Sequence, residues 1–210
     1  MHKQTGMIVL AVAAGLALGL GIASFIVSSR PVVVEPSPSS VAATVPTNAM
    51  VDANAPKWDG LPQASPSFVH TVIHTSVDNN SGQPVDIPTS KPILFSADFC
   101  PWCASTEKLL ISQGLMNRVT VVGIDLNGGE PGQVPARTVT NVKQARTAFQ
   151  LDWKHYGIEY TTKNLLYALP GNALNNVVTS FPVVLIPHAG KWYVQLGYNP
   201  SSSFWRQVLS

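Results

Sequence analysis

Charge is scarce in this chain. Of 210 residues, 13 are Lys or Arg and 11 are Asp or Glu, which leaves a net charge of +2. The basic residues nowhere gather into a cluster able to neutralise a row of phosphates, so a nucleic-acid partner is excluded. The pI near 8.6 reflects that small imbalance and implies no partner of its own. Cysteine is scarcer still, with Cys100 and Cys103 the full complement. Two cysteines allow at most one disulfide within the chain.

Charge is missing altogether from Met7 to Val27, a run of 21 residues bounded by Lys3 and Arg30. At about 1.5 Å per residue, a helix of that length crosses a hydrocarbon layer of about 30 Å. We read 1–6 as a short tail and 7–27 as an uncleaved single-pass anchor. A cleaved secretory signal is the competing reading, but its apolar core runs to only about 7–15 residues. No small-x-small cleavage site follows directly, and Val41-Ala42-Ala43 comes too late. Either reading sends the remaining chain across the membrane. Lys3 and the terminal amine favour an N-terminus inside, and Arg30 on the other flank makes that bias slight. The short N-terminus ahead of a long domain puts the domain on the extracytoplasmic side of the cell membrane.

From Ser28 to Pro66 the composition shifts to Pro, Ser, Ala, Thr and Val, with seven prolines between Pro31 and Pro66. Such a stretch buries no core and reads as an extended spacer, with Trp58 and Leu61 available to dock on the domain edge. The domain itself spans 67–210. Its pattern reads as α/β. Phe68–His74 is rich in β-branched residues and reads as a strand, and Pro92–Ala97 as a second. A helix follows to about Gln113, stopped by Gly114, with Leu115 folding back. Val119–Asp125 is a continuous apolar run, the mark of a strand buried on both faces. Strand–helix–strand in this length is a right-handed parallel crossover. After a Gly/Pro loop from Asn127 to Arg137, Thr140 to Leu169 has helical spacing, broken near Gly157, with a second short helix from Thr162 to Leu169. Phe181–Ile186 and Lys191–Gly197 form a hairpin, and Ser201–Leu209 closes the chain as a helix.

Against that background Phe99-Cys100-Pro101-Trp102-Cys103 stands out, because a strand delivers its first thiol to the start of a helix. Helix N-termini carry unpaired N–H groups and the positive end of the macrodipole, both of which favour a thiolate. Pro101 suits the first turn, where its missing N–H costs no bond. The pattern is that of a thiol–disulfide exchange centre.

The order of elements resembles the thioredoxin superfamily over about residues 68–210: strand, Cys-x-x-Cys on a helix, strand, helices, a strand opening with Pro, a hairpin and a last helix. It is closest in Ile93–Ile111 and Phe181–Leu209. The resemblance implies a thioredoxin-like fold, a central mixed sheet flanked by helices. It also implies that Pro182 is the cis-proline beside the dithiol, that Phe181 offers backbone groups to an extended substrate, and that no cofactor is needed beyond the two thiols. Departures place the chain away from thioredoxins proper. Leu94 stands where they carry a buried acid, and Ser96 where they carry Trp. The 78 residues between Cys103 and Pro182 leave room for a helical insertion at about 127–176, where extracytoplasmic Dsb-type oxidoreductases place helices. Phe149, Trp153, Tyr156, Tyr160 and Tyr167 in that insertion read as core and cap packing.

The attacking species in exchange is a thiolate, so the more exposed Cys100 is assigned as nucleophile and Cys103, one turn on, as resolving thiol. Pro101 and Trp102 complete the motif. Trp102 supplies no charge, which predicts an intermediate potential. Asp98 would raise the Cys100 pKa if it pointed inward and is expected to face solvent, as is Lys108. Protein thiols or disulfides are the expected substrates, and turnover calls for a separate redox partner that a tether would keep close in the membrane. Two alternatives stand beside this reading. His70 and His74 could join Cys100 and Cys103 in a Cys2His2 zinc set, or His188 could serve with the cysteines in copper delivery. A non-catalytic binding domain with a structural disulfide is the other.

Overall fold

The computed structural model describes residues 50–126, 139–161 and 164–210. The anchor expected at 7–27, the spacer up to residue 49 and the 127–137 loop lie outside these residues. Among the described residues no helix is long and apolar enough to cross a membrane.

Residues 50–65, read from the sequence as the end of the spacer, are packed onto the domain. Met50 is fully buried, Val51 bridges Ala64, and Gln63 bridges Tyr193. Leu61 is buried and exchanges backbone bonds with Trp58, so both residues dock as expected.

Helix α1 (Pro66–His74) replaces the strand expected there. The Ser65 hydroxyl accepts from the Phe68 N–H and Pro66 fills the first helical turn, a cap and a pre-set φ that together outweigh β-branched propensity. Phe68 and Val72, four apart, form its buried stripe.

Strands β1 (Val77–Asp78), β2 (Pro84–Val85), β3 (Ile93–Ser96), β4 (Thr120–Gly123), β5 (Leu165–Tyr167), β6 (Val183–His188) and β7 (Lys191–Leu196) form one mixed sheet in the order β2-β1-β5-β4-β3-β6-β7. β3 runs parallel to β4, joined by α2 (Pro101–Ser112), and β6 runs antiparallel to β3. Gly114 adopts φ +67° and the Leu115 N–H returns to the Leu110 carbonyl at 2.8 Å, ending α2 as expected.

One expectation fails in the intervening segment. Leu165–Tyr167, expected in a helix, is a strand parallel to β4 and antiparallel to β1. The open edge of β4 needs a partner for its backbone, and that pairing overrides helical spacing. The insertion is therefore part helix, α3 (Val142–His155), and part sheet.

Side chains alternate across the sheet. Leu94, Val121, Val184 and Ile186 pack with α2, α3 and the terminal helix α4 (Ser202–Val208). Ile93, Phe95, Val122 and Leu185 pack with α1 on the other face. Gly123 allows α3 to approach closely, since a Cβ there would meet the Phe149 ring at 2.5 Å. Buried on both faces, β3 is a firm base for the loop that follows it.

Candidate active site

That loop carries the dithiol. Cys100 caps α2 with extended backbone (φ −91°, ψ 110°) and Pro101 is the first helical residue. The Cys103 N–H donates to Cys100 Sγ at 3.2 Å. Both thiols are free, Cys100 7% exposed and Cys103 1%.

The two thiols differ in acidity. The neighbouring Cys103 thiol holds Cys100 below its ordinary value against the opposing effect of burial, and the Cys103 and Trp102 backbone groups add to the lowering. Burial pushes Cys103 well above its ordinary value, and its bond to Cys100 and the charge there raise it further. One thiol is thus ready to ionise at the opening while the other holds its proton beneath.

Below the cysteines lies an acidic floor that the sequence reading did not anticipate. Glu107, 1% exposed, accepts from Ser96 Oγ at 2.7 Å and from Trp153 Nε1 at 2.6 Å. Burial drives its pKa to about 7, the two hydrogen bonds oppose the rise, and the charge of Asp152 supports it. Glu107 in turn raises both cysteines. Ser96, conspicuous in the sequence only as a departure, thus serves as a partner of this acid. A signal for Glu107 was present: positions 100, 103 and 107 share a face at helical spacing.

Asp98, expected to face solvent, is 3% exposed. The strand preceding it is buried on both faces, and the chain turns from β3 into α2 before it surfaces. Asp98, Cys100, Glu107 and Asp152 line a cavity of about 10 Å³, on the scale of a single water. Lys108 is exposed as expected.

Above the cysteines the rim is aromatic. Phe99 and Phe181 meet edge to face at 6.5 Å and pack against Ala97, Cys100 and Cys103. The Phe181–Pro182 bond is cis. Pro182 is buried, and Val183 after it pairs with Phe95, so β6 brings both residues to the dithiol. Trp102 is 59% exposed and stacks on Tyr198 with ring centroids 5.9 Å apart and planes 23° apart. Tyr198, on the loop between β7 and α4, was not singled out from the sequence.

The histidines do not converge on the cysteines. His70 and His74 stand together on α1, ring centroids 4.4 Å apart, on a helix that packs against the opposite face of the sheet from α2. His188 ends β6, five residues from the end that meets the site, and stacks on Trp58 at 4.0 Å. Among the described residues no group of three or more His, Cys, Asp or Glu is arranged to hold a metal, so neither metal set considered from the sequence is assembled.

No described protein family and no curated protein matches the chain. Solved structures similar to it include a secreted Mycobacterium tuberculosis disulfide oxidoreductase homologous to E. coli DsbE. It is 19% identical, with 67% of this chain and 96% of that one covered and a TM-score of 0.42. DsbF of MTB is also 19% identical, covering 67% and 98% at a TM-score of 0.41. A thioredoxin-like protein from Aeropyrum pernix is 16% identical, covering 64% and 86% at 0.42. Likeness at this level carries no inference about chemistry, which rests on the geometry above.

Proposed function

We propose that this chain is a thioredoxin-like protein thiol–disulfide oxidoreductase, tethered by its N-terminal segment and working outside the cytoplasmic membrane. The observation that carries the reading is the asymmetric dithiol. Cys100 caps a helix at the opening with an N–H donated to its sulfur, and Cys103 is sealed beneath it above a buried acid.

In the reducing direction the Cys100 thiolate attacks a substrate disulfide. The substrate S–S bond breaks, a mixed disulfide forms, and one substrate sulfur leaves as thiolate. Cys103 then gives up its proton and attacks Cys100 Sγ, releasing the second substrate sulfur as thiolate and passing two electrons to the substrate. Glu107, with its pKa near 7, is half-ionised at neutral pH and can accept that proton. The reverse sequence oxidises a substrate dithiol. Pro182 and Phe181 shape the entry to Cys100, with Phe181 offering backbone groups to the substrate chain. Pro101 starts the helix, and Trp102 forms part of the rim. With one dithiol per chain, a separate partner must restore the starting state, and an anchor at 7–27 would hold the domain near a membrane-borne one.

The test is trapping. Cys103→Ser should accumulate mixed disulfides with extracytoplasmic proteins, and Cys100→Ser should accumulate none. Full turnover by Cys103→Ser would contradict the roles. A dithiol that neither reduces insulin nor oxidises a test peptide would leave a non-catalytic binding domain. The reduction potential gives direction, with about −120 mV marking an oxidant and about −270 mV a reductant.

A further inference from the structure

The rim residues described above are Phe99, Trp102, Phe181 and Tyr198, and the stretches 99–105, 179–183 and 196–200 that carry them contain no Asp, Glu, Lys or Arg. The acids near the site, Asp98, Glu107 and Asp152, are all buried beneath it. What the rim presents is aromatic. Trp102 and Leu151 are the large apolar side chains left exposed among the described residues, and Trp102 lies between the two cysteines in sequence. Its ring lies over Tyr198, which comes from a separate segment and holds the indole in place two residues from Cys100 in the chain. An exposed Trp held by a second ring is a large apolar surface at small entropic cost, the composition of a recognition anchor.

Resting on the exchange activity proposed above, we infer that Trp102 and Tyr198 form a selectivity platform. It prefers cysteines in extended segments whose adjacent residue is uncharged and apolar, aromatic above all. A Trp or Leu beside the reacting cysteine covers the indole and loses contact with water. A Glu or Lys there meets no counter-charge among the described rim residues and surrenders hydration for nothing. Without charges to steer it, the encounter with an uncharged segment is insensitive to salt.

The test uses short peptides whose single cysteine carries a thionitrobenzoate disulfide, with Trp, Leu, Ser, Glu or Lys beside it, and the reduced full-length protein. Cys100 thiolate attacks the peptide sulfur, the S–S bond breaks and coloured thionitrobenzoate leaves. Cys103 then displaces the peptide thiolate, so two electrons pass from the dithiol to the peptide disulfide. The Trp peptide should react about tenfold faster than the Glu and Lys peptides. Tyr198→Ala and Trp102→Ala should bring that ratio close to one, Tyr198→Phe should keep it, and Leu151→Ala, on α3, should leave it unchanged. Exchange with no preference among the peptides overturns the platform and leaves the exchange activity standing. A preference that survives both alanine variants also overturns it. Wild-type protein that releases no more thionitrobenzoate than Cys100→Ser overturns the exchange activity and the platform with it.

Discussion

The rim and the floor of the dithiol are built from opposite materials. Around the opening lie Phe99, Phe181, Trp102 and Tyr198, all of them aromatic. Beneath it Asp98, Glu107 and Asp152 are buried together. The rim is suited to holding a substrate chain and the floor to managing protons. Cys100 stands where the two meet, lining the acidic cavity from above, and Cys103 is the more deeply buried. The thiols differ in acidity because Cys103 supports the Cys100 thiolate while burial penalises its own. If this division holds, floor substitutions change pH dependence and leave selectivity alone, and rim substitutions do the reverse.

The largest expected effect is on stability. Folded Glu107 keeps its proton up to about pH 7, whereas a freely solvated carboxyl releases it near 4.5. Between those values the folded state binds more protons than the unfolded one. The contribution of Glu107 is therefore fully present below about pH 4.5 and is lost as pH rises through 7. The loss amounts to about 3 kcal/mol. Glu107→Gln removes this dependence, because an amide oxygen can accept from Trp153 while its NH2 donates to Ser96. Urea unfolding at pH 4 and pH 8 should show the variant more stable than wild type at pH 8 and the difference gone at pH 4.

The next effect is kinetic. With its proton acceptor removed, Glu107→Gln should slow the Cys103 step by about 10²-fold. Single-turnover decay of a mixed disulfide, followed from pH 5 to 9, should lose the rise centred near pH 7 while keeping its peptide preference. A rim change is smaller: Trp102→Ala should reduce the preference for a Trp-flanked peptide by about tenfold and leave that pH profile in place. Smallest is Ser65→Ala, which removes the α1 cap and should cost about 1 kcal/mol with no effect on either property. A shift of selectivity in the Glu107 variant, or of the pH profile in the Trp102 variant, would break the division.

Much of this was legible in the sequence where chemistry and local pattern agree. Cys100, Pro101 and Cys103 carry their own helix-start signal, and Gly114 carries the stop. The apolar runs of β3, β4 and β6 match strands enclosed on both faces. Two elements misled for identifiable reasons. Val69, Val72 and Ile73 resemble a strand, yet Ser65-Pro66 sets the preceding backbone for a helix and α1 buries only one side. Leu165–Tyr167 keeps a helical rhythm with the residues before it, but its conformation is decided by β4 and β1 on either side. Such pairing is tertiary and leaves little trace in a short window. The acidic floor was hidden differently. Leu94 leaves the strand position without an acid, Glu107 supplies one from the helix instead, and the proximity of Trp153 depends on a chain excursion of 46 residues.

The central claim is that Cys100 is the ionising, accessible thiol and Cys103 the protected one. Alkylation of the fully reduced protein with limiting iodoacetamide, mapped by peptide mass across pH 5 to 10, tests it directly. The account predicts modification of Cys100 first, titrating below an ordinary thiol, with Cys103 unmodified until the protein is unfolded. Equal labelling of the two, or Cys103 reacting first, would contradict it.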